Sequence, residues 1–222
     1  MKIILIFFTF ICLSDSLSSQ FRYEKTNVNN IISSSSLWLS NGLSIKPMGY
    51  NRFIIQLGSS TIMVRESNHL WIYPNIDIGF KLTKNLSITS KSYGFIAEND
   101  SPQVLGAGVQ YYYGDEDTLN WSTSIQRAEL IGLEYYNIKS LDINISKWIQ
   151  WNDIIFKLGV GGIFYNGKYF KLLDDLPSTF EDEINYFGIN LLKPISVFDL
   201  GLEFKINPER LTMSLFFQKE FF

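Results

Sequence analysis

The chain is poor in the residues that build most chemical sites. It has one cysteine, Cys12, and one histidine, His69. That leaves no disulfide scaffold and almost no His/Cys metal site. There is no basic excess either: 19 Lys and Arg stand against 22 Asp and Glu, for a net charge of −3. Nothing there would hold a phosphate backbone, so nucleic acid is not an expected partner. Charged residues make up 18% of the chain, below the roughly 25% of an average soluble domain. No stretch beyond the N-terminus approaches the 18 apolar residues of a membrane helix, and helical 3.6-residue patterning is hard to find. With 222 residues there is room for one domain of ordinary size and not for two well-cored ones.

What is present begins with a targeting segment. Lys2 precedes Ile3 to Leu13, a run in which only Thr9 is polar, and Ser14 to Gln20 follow as a small-residue exit. A positive start, a short apolar core and small residues describe a secretory signal peptide, expected over residues 1–19. The core is too short to span a bilayer, which takes about 20 residues as a helix. Cys12 leaves with it. Residues 20–35, rich in Asn and Ser, read as a flexible periplasmic lead-in, and residues 36–222 as a single β-domain.

Period-2 alternation dominates that domain, and this is the strand signal. Ile76, Ile78, Phe80 and Leu82 alternate with Asp77, Gly79 and Lys81. Phe198, Leu200, Leu202, Phe204 and Ile206 alternate with Asp199, Gly201, Glu203 and Lys205. Ile154, Phe156, Leu158 and Val160 oppose Asp153, Lys157, Gly159 and Gly161. Leu211, Met213, Leu215, Phe217 and Phe221 oppose Thr212, Ser214, Phe216, Gln218 and Glu220. Segments 86–96, 103–113, 117–127 and 133–147 supply further strands. Turn signals lie between them at Lys84-Asn85, Gly114 to Asp117, Lys193-Pro194 and Asn207-Pro208. The fold class is all-β, an antiparallel up-and-down meander.

The faces decide between a soluble and a membrane barrel. A soluble barrel buries its continuous apolar face; a membrane barrel turns it to lipid and packs small or charged groups into the lumen. Aromatic residues at Tyr111 to Tyr113, Tyr135-Tyr136, Trp148/Trp151, Phe164-Tyr165 and Phe216-Phe217/Phe221-Phe222 lie near strand ends, as girdles at two membrane interfaces would. A signal peptide, about ten amphipathic strands (8–12) and a last strand Leu211 to Phe222 ending in Phe resemble bacterial outer-membrane β-barrel proteins of the small, porin-like or OmpA-like class. The resemblance covers nearly the whole exported chain and implies residence in the outer membrane, outer-membrane lipid as surroundings, and recognition of Leu211 to Phe222 by the barrel-assembly machinery. In that family the terminal Phe usually faces lipid; here Phe221, not Phe222, shares parity with Phe217.

With the C-terminus on the periplasmic side, Lys193-Pro194, Trp148 to Trp151, Gly114 to Asp117 and Lys84-Asn85 fall inside as short turns. The connection 166–183 and Glu98 to Pro102 fall outside. If 52–66 is one strand the count is ten; if it is a hairpin, with 36–45 added, the count is twelve. Closure takes an even number, and ten is favoured.

Candidate chemistry is sparse. His69 has Ser67 and Glu66 beside it, but adjacent strand residues point to opposite faces and cannot form a triad. No catalytic, cofactor or metal residue is assigned. Gly159-Val160-Gly161-Gly162 lacks the spacing of a nucleotide loop and on a strand makes room in a narrow lumen or permits a bend. Asp77, Lys81, Asp153, Lys157, Asp199, Glu203 and Lys205 are the lumen-facing charged candidates, forming either an ion-paired plug or a pore lining. Asp174, Asp175, Glu181, Asp182 and Glu183 make an acidic extracellular loop whose spacing matches no EF-hand. The expected role is structural, adhesive or narrow-pore passage without catalysis. The alternatives are a membrane-embedded lipid hydrolase and a soluble periplasmic lipocalin-like binder of an apolar ligand.

Overall fold

The computed structural model describes residues 28–47, 49, 51–64, 70–96, 100–114, 118–170 and 178–222. Ten antiparallel strands form one closed barrel: β1 (Phe53–Val64), β2 (Leu70–Lys81), β3 (Leu86–Gly94), β4 (Gln103–Tyr113), β5 (Trp121–Ile131), β6 (Tyr136–Trp151), β7 (Ile154–Tyr169), β8 (Thr179–Ile195), β9 (Phe198–Ile206) and β10 (Arg210–Phe221). Each strand pairs with its sequence neighbours, and β10 closes on β1 over a full ladder from Phe53↔Phe221 to Val64↔Arg210. Closure gives every strand a partner on both sides over at least part of its length, which matters in lipid, where an unpaired backbone group costs several kcal/mol. The favoured count of ten is what the chain forms. The stretch 52–66 is one strand over its described part.

The alternation reads as expected on every strand that the sequence resolved. Ile78 points outward and Asp77 inward; Leu215 and Phe217 point outward and Ser214, Phe216 and Gln218 inward. Leu57, Leu105, Ile125, Ile143, Val160 and Phe187, on six other strands, are likewise exposed. The polar set is buried and the apolar set faces out, the reverse of a soluble barrel.

One end of the barrel carries the start of β1, the end of β10 and the connections 82–85, 114–120, 152–153 and 196–197; we call it the near end. The strand ends at the far end are joined in sequence by 65–69, 95–102, 132–135, 170–178 and 207–209, which include the two longest connections. Three expected boundaries move. The turn assigned to Lys193-Pro194 lies at Ser196-Val197, and that assigned to Trp148–Trp151 lies at Asn152-Asp153. Both short turns begin with a left-handed residue, Asn152 (φ 52°) and Ser196 (φ 59°), a conformation tight hairpins demand. The connection expected at 166–183 shrinks to 170–178, because β7 and β8 pair as far as Lys168↔Thr179.

Adjacent aromatics do not form girdles together. Tyr112, Tyr136, Tyr165 and Phe216 are buried inside, whereas Tyr111, Phe164 and Phe217 face out, since neighbouring strand residues take opposite sides. Trp148 also turns inward and donates Nε1–H to Ser122 Oγ at 2.9 Å.

Residues 20–35 were expected as a flexible lead-in. Over its described part this segment is instead the start of α1 (Val28–Leu39), a helix buried in the lumen. The twelve-strand alternative, with a strand over 36–45, is excluded for the same reason.

Candidate functional site: a lumen filled by the N-terminal segment

The N-terminal segment enters at the far end and leaves at the near end. Asn30 Oδ1 accepts a bond from Arg210 Nη2 at 3.2 Å beside the β9–β10 turn. Sixteen positions on, Lys46 Nζ lies 2.7 Å from Asp199 Oδ2 and 3.2 Å from Glu220 Oε1, on the strand ends of the near side. Helix α1 occupies the far half of the lumen and the extended residues 40–47 the near half.

The helix has little intrinsic reason to form. Its sequence VNNIISSSSLWL has no acidic residue in its first turn and no basic residue in its last. Serine is only a middling helix former, and twelve residues are marginal alone in water. The barrel wall supplies the stability. Ile31, Ile32, Leu37, Trp38 and Leu39 pack with inward Ile62, Tyr73, Val104, Leu130, Ile138, Ile163 and Ile184 from seven strands. Full burial of each large side chain contributes about 1.5–3 kcal/mol. Small serines let the helix fit, and Ser36 Oγ donates to Ile32 O at 2.9 Å and Ser40 Oγ to Leu37 O at 2.7 Å, so each of these hydroxyl protons finds its acceptor on the segment's own backbone.

Trp38 also mends a seam. β2 and β3 pair only from Ile78↔Ser90 to Lys81↔Ser87. Beyond it, the carbonyl of Pro74 accepts bonds from Trp38 Nε1 (2.9 Å) and Tyr93 OH (2.9 Å). The Trp38 ring stacks on Tyr73 with centroids 4.7 Å apart.

The near half is held by polar groups reaching inward to a strand-like segment whose own backbone finds no β partner. Gln126 Nε2 donates to Leu39 O (2.9 Å), Gln110 Nε2 to Leu43 O (2.6 Å) and Tyr112 OH to Ile45 O (3.1 Å). Lys91 donates to Asn41 O and pairs with Asp77 at 3.3 Å, both side chains within 3% of full burial. Lys81 Nζ donates to the carbonyls of Lys46, Pro47 and Gly49 at 2.6–2.9 Å. Asn41 Nδ2 reaches Ser60 Oγ (2.8 Å) and Ser214 Oγ (3.2 Å) on β1 and β10, so the segment also ties the closing seam. Leu43 and Ile45 pack with Ile54, Tyr112 and Leu119. Gly79 leaves the space: a Cβ there would strike Leu43 Cδ2 and Ile45 Cδ1.

The charged candidates fall into three groups. Asp77, Lys81, Asp199 and Lys205 are buried and engage the segment or its partners; Lys205 Nζ donates to Ser40 Oγ at 2.7 Å. Lys157 and Glu203 are half-buried and line, with Asp142, Asn144 and Lys205, a cavity of about 20 Å³, room for a single water. Asp153 does not face the lumen. It is exposed in the turn before β7, where parity outruns the strand. Of the acidic set, Glu181, Asp182 and Glu183 lie on β8 rather than in a loop; Asp174 and Asp175 lie outside the described residues, as do Glu66, Ser67 and His69.

Several lumen groups escaped the sequence reading: Lys46, Lys91, Asp142 and the amides Gln110 and Gln126. Lys91 and Asp142 alternate with apolar or small neighbours on β3 and β6, so parity over 86–94 and 136–151 would have found them. Nothing in the sequence marks Lys46, whose partners are Asp199 and Glu220. Gly159 and Gly161 make room in the lumen as expected: a Cβ at Gly161 would sit 2.6 Å from Tyr186 Cζ, and that tyrosine donates to Asp142 Oδ1 at 2.8 Å.

No family model and no curated protein matches this sequence. Several solved structures align with it at low similarity. The KdgM porin, solved in complex with disordered oligogalacturonate, matches at 11% identity over 76% of this chain and 99% of its own, with a TM-score of 0.43. The NanC porin matches at 7% identity over 76% of this chain and 100% of its own, with a TM-score of 0.41. Omp33 of Acinetobacter baumannii matches at 8% identity over 77% of this chain and 98% of its own, with a TM-score of 0.38. The class rests on the molecule's own wall. A closed antiparallel barrel with an apolar outside, and with Asp, Lys, Gln and Ser buried in a packed lumen, is a transmembrane β-barrel of the outer-membrane type, and the outer membrane is where such a wall is stable.

Proposed function

We propose that this protein is an outer-membrane barrel closed to solute in its resting state, acting by recognition or adhesion at its outer mouth and without a catalytic step. The observation that supports this is the N-terminal segment lying along the lumen from Asn30 at the far end to Lys46 at the near end. The far end, with the longer connections, is the outer one, following the usual asymmetry of such barrels. Assembly starts from the C-terminal strand Leu211 to Phe222 presented to the barrel-assembly machinery.

Planar-bilayer recording tests the closed state. The intact protein should show no steady conductance, whereas a variant lacking residues 28–47 should conduct as a narrow pore. Steady conductance by the intact protein would sink the closed reading. A gated pore is the second reading, favoured by the polar and ionic grip on residues 40–47, which is easier to release into water than an apolar one. Voltage- or ligand-dependent openings in the intact protein would select it.

A further inference from the structure

The far rim has a step in it. β8 pairs with β7 as far as Thr179, but its ladder with β9 stops at Phe187↔Ile206, where the chain turns through 207–209 into β10. Residues 179–186 of β8 therefore present an edge with no strand beside it among the described residues. Two side-chain bonds reach the backbone of that edge, Asn207 Nδ2 to Asn185 O and the Glu183 N–H to Asp182 Oδ1, each at 2.8 Å, and an incoming strand would replace the second. At about 3.3 Å per residue the edge is roughly 26 Å long. Natural sheets hide such edges because they template pairing with another chain.

A cavity of about 610 Å³ lies between this edge, the β9–β10 turn and the start of α1. Four carboxylates line it, Glu181, Asp182, Glu183 and Glu209, against one cation, Arg210. Arg210 is nine-tenths buried. Its Nη atoms are taken by Glu209 (2.8 Å) and Asn30 (3.2 Å), while its Nε–H is buried without a partner. Tyr165 OH fixes Asp182 by donating to Oδ2 at 3.2 Å. A donor without an acceptor and a run of unpaired main chain both ask for a backbone, and the carboxylates ask for positive charge.

We propose that the free edge of β8 is a β-augmentation site for an extended, lysine- or arginine-rich segment of a partner protein. The incoming strand pairs with residues 179–186, its basic side chains meet Glu181, Asp182, Glu183 and Glu209, and a main-chain carbonyl accepts from Arg210 Nε. Main-chain pairing supplies affinity and the alternate side chains supply selection. The idea deepens the outer-mouth role above and rests on it for its biological side, but the binding itself does not depend on membrane orientation.

The test uses the full exported chain in zwitterionic lipid nanodiscs and a blocked peptide of alternating lysine and threonine long enough to cover 179–186. The peptide should bind and slow hydrogen exchange at those amides of 179–186 that do not face β7. An isomeric peptide interrupted by proline should not bind, and E181K with E183K should weaken binding on the order of tenfold. Equal binding of the proline peptide would reduce the effect to charge alone and overturn the proposal. So would absence of binding. Protection already present in the free protein and lost on deleting residues 20–27 would show the edge taken by the chain itself, which also overturns it. Bilayer recording on the same preparation separates the two ideas: no peptide binding with a closed barrel removes only this one.

Discussion

At the residue scale, parity on a strand decides the solvent of each side chain, and so the sign and size of a substitution's effect. Leu202 sits midway along β9 facing outward, and Glu203 beside it faces in. Arginine at Leu202 should cost about 2–4 kcal/mol if the residue lies at the bilayer midplane, and arginine at Glu203 less, read from urea unfolding in lipid vesicles. Equal costs would mean that the outer wall does not meet lipid. The Lys91–Asp77 pair supplies a second case. K91M leaves a buried carboxylate with its 3.3 Å partner gone, and should lose about 3–5 kcal/mol. Adding D77N to K91M should recover much of that, because the uncompensated charge goes too. A double variant as unstable as K91M alone would mean that the lysine acts through Asn41 and not through the aspartate.

At the element scale, α1 and residues 40–47 are held by different physics. The helix is held by apolar contact and has nothing to gain from leaving, whereas the extended stretch is held by amides, lysines and an ion pair at the near mouth. Reversal of Lys46 to Glu sets it against Asp199 and Glu220 and should free the near end. Bilayer recordings should then show openings that the unaltered protein lacks, and D199K added to K46E should suppress them by restoring one pair of opposite charges. Openings that persist in the double variant would assign the effect to something other than the ion pair. This element was the least legible one. Asn and Ser at 29–36 carry the composition of a disordered tail, and only a surrounding wall of Ile, Leu and Tyr makes a helix of them.

For the whole molecule, the consequence is topological. The segment runs from far to near, β1 starts at the near end and β10 finishes there, so the start of α1 and the C-terminus lie at opposite ends of the barrel. Single cysteines at Ser178 and Glu209, on far-end connections, should react with a membrane-impermeant maleimide on intact cells. One at Val197, in the near-end turn and 64% exposed, should react only after permeabilisation. The opposite pattern would invert the orientation and move the β8 edge to the periplasm.

The sequence by itself determined the alternation: its period over 76–82, 198–206 and 211–221 sets which residues share a face, and the turns narrow the count to ten or twelve with ten favoured, while the closed ladder of β1 on β10 decides for ten. It favoured a wall with its apolar set toward lipid over a soluble lipocalin-like barrel, and the exposure of Leu57, Ile78 and Phe217 beside buried Asp77 and Gln218 decided it. Only the tertiary structure decided what fills the lumen. Pairing of Lys46 with Asp199, of Asn41 with Ser60 and Ser214, and of Trp38 with Pro74 joins residues far apart in the chain through a closed wall. No local pattern encodes those meetings, because they exist only after β10 has closed on β1 and left the N-terminal segment an interior to bind, apolar in its far half and polar in its near half. The step at β8 is of the same kind: it comes from β9 ending at Ile206 while β7 and β8 continue, a difference in strand length that becomes a free edge only when the strands stand side by side.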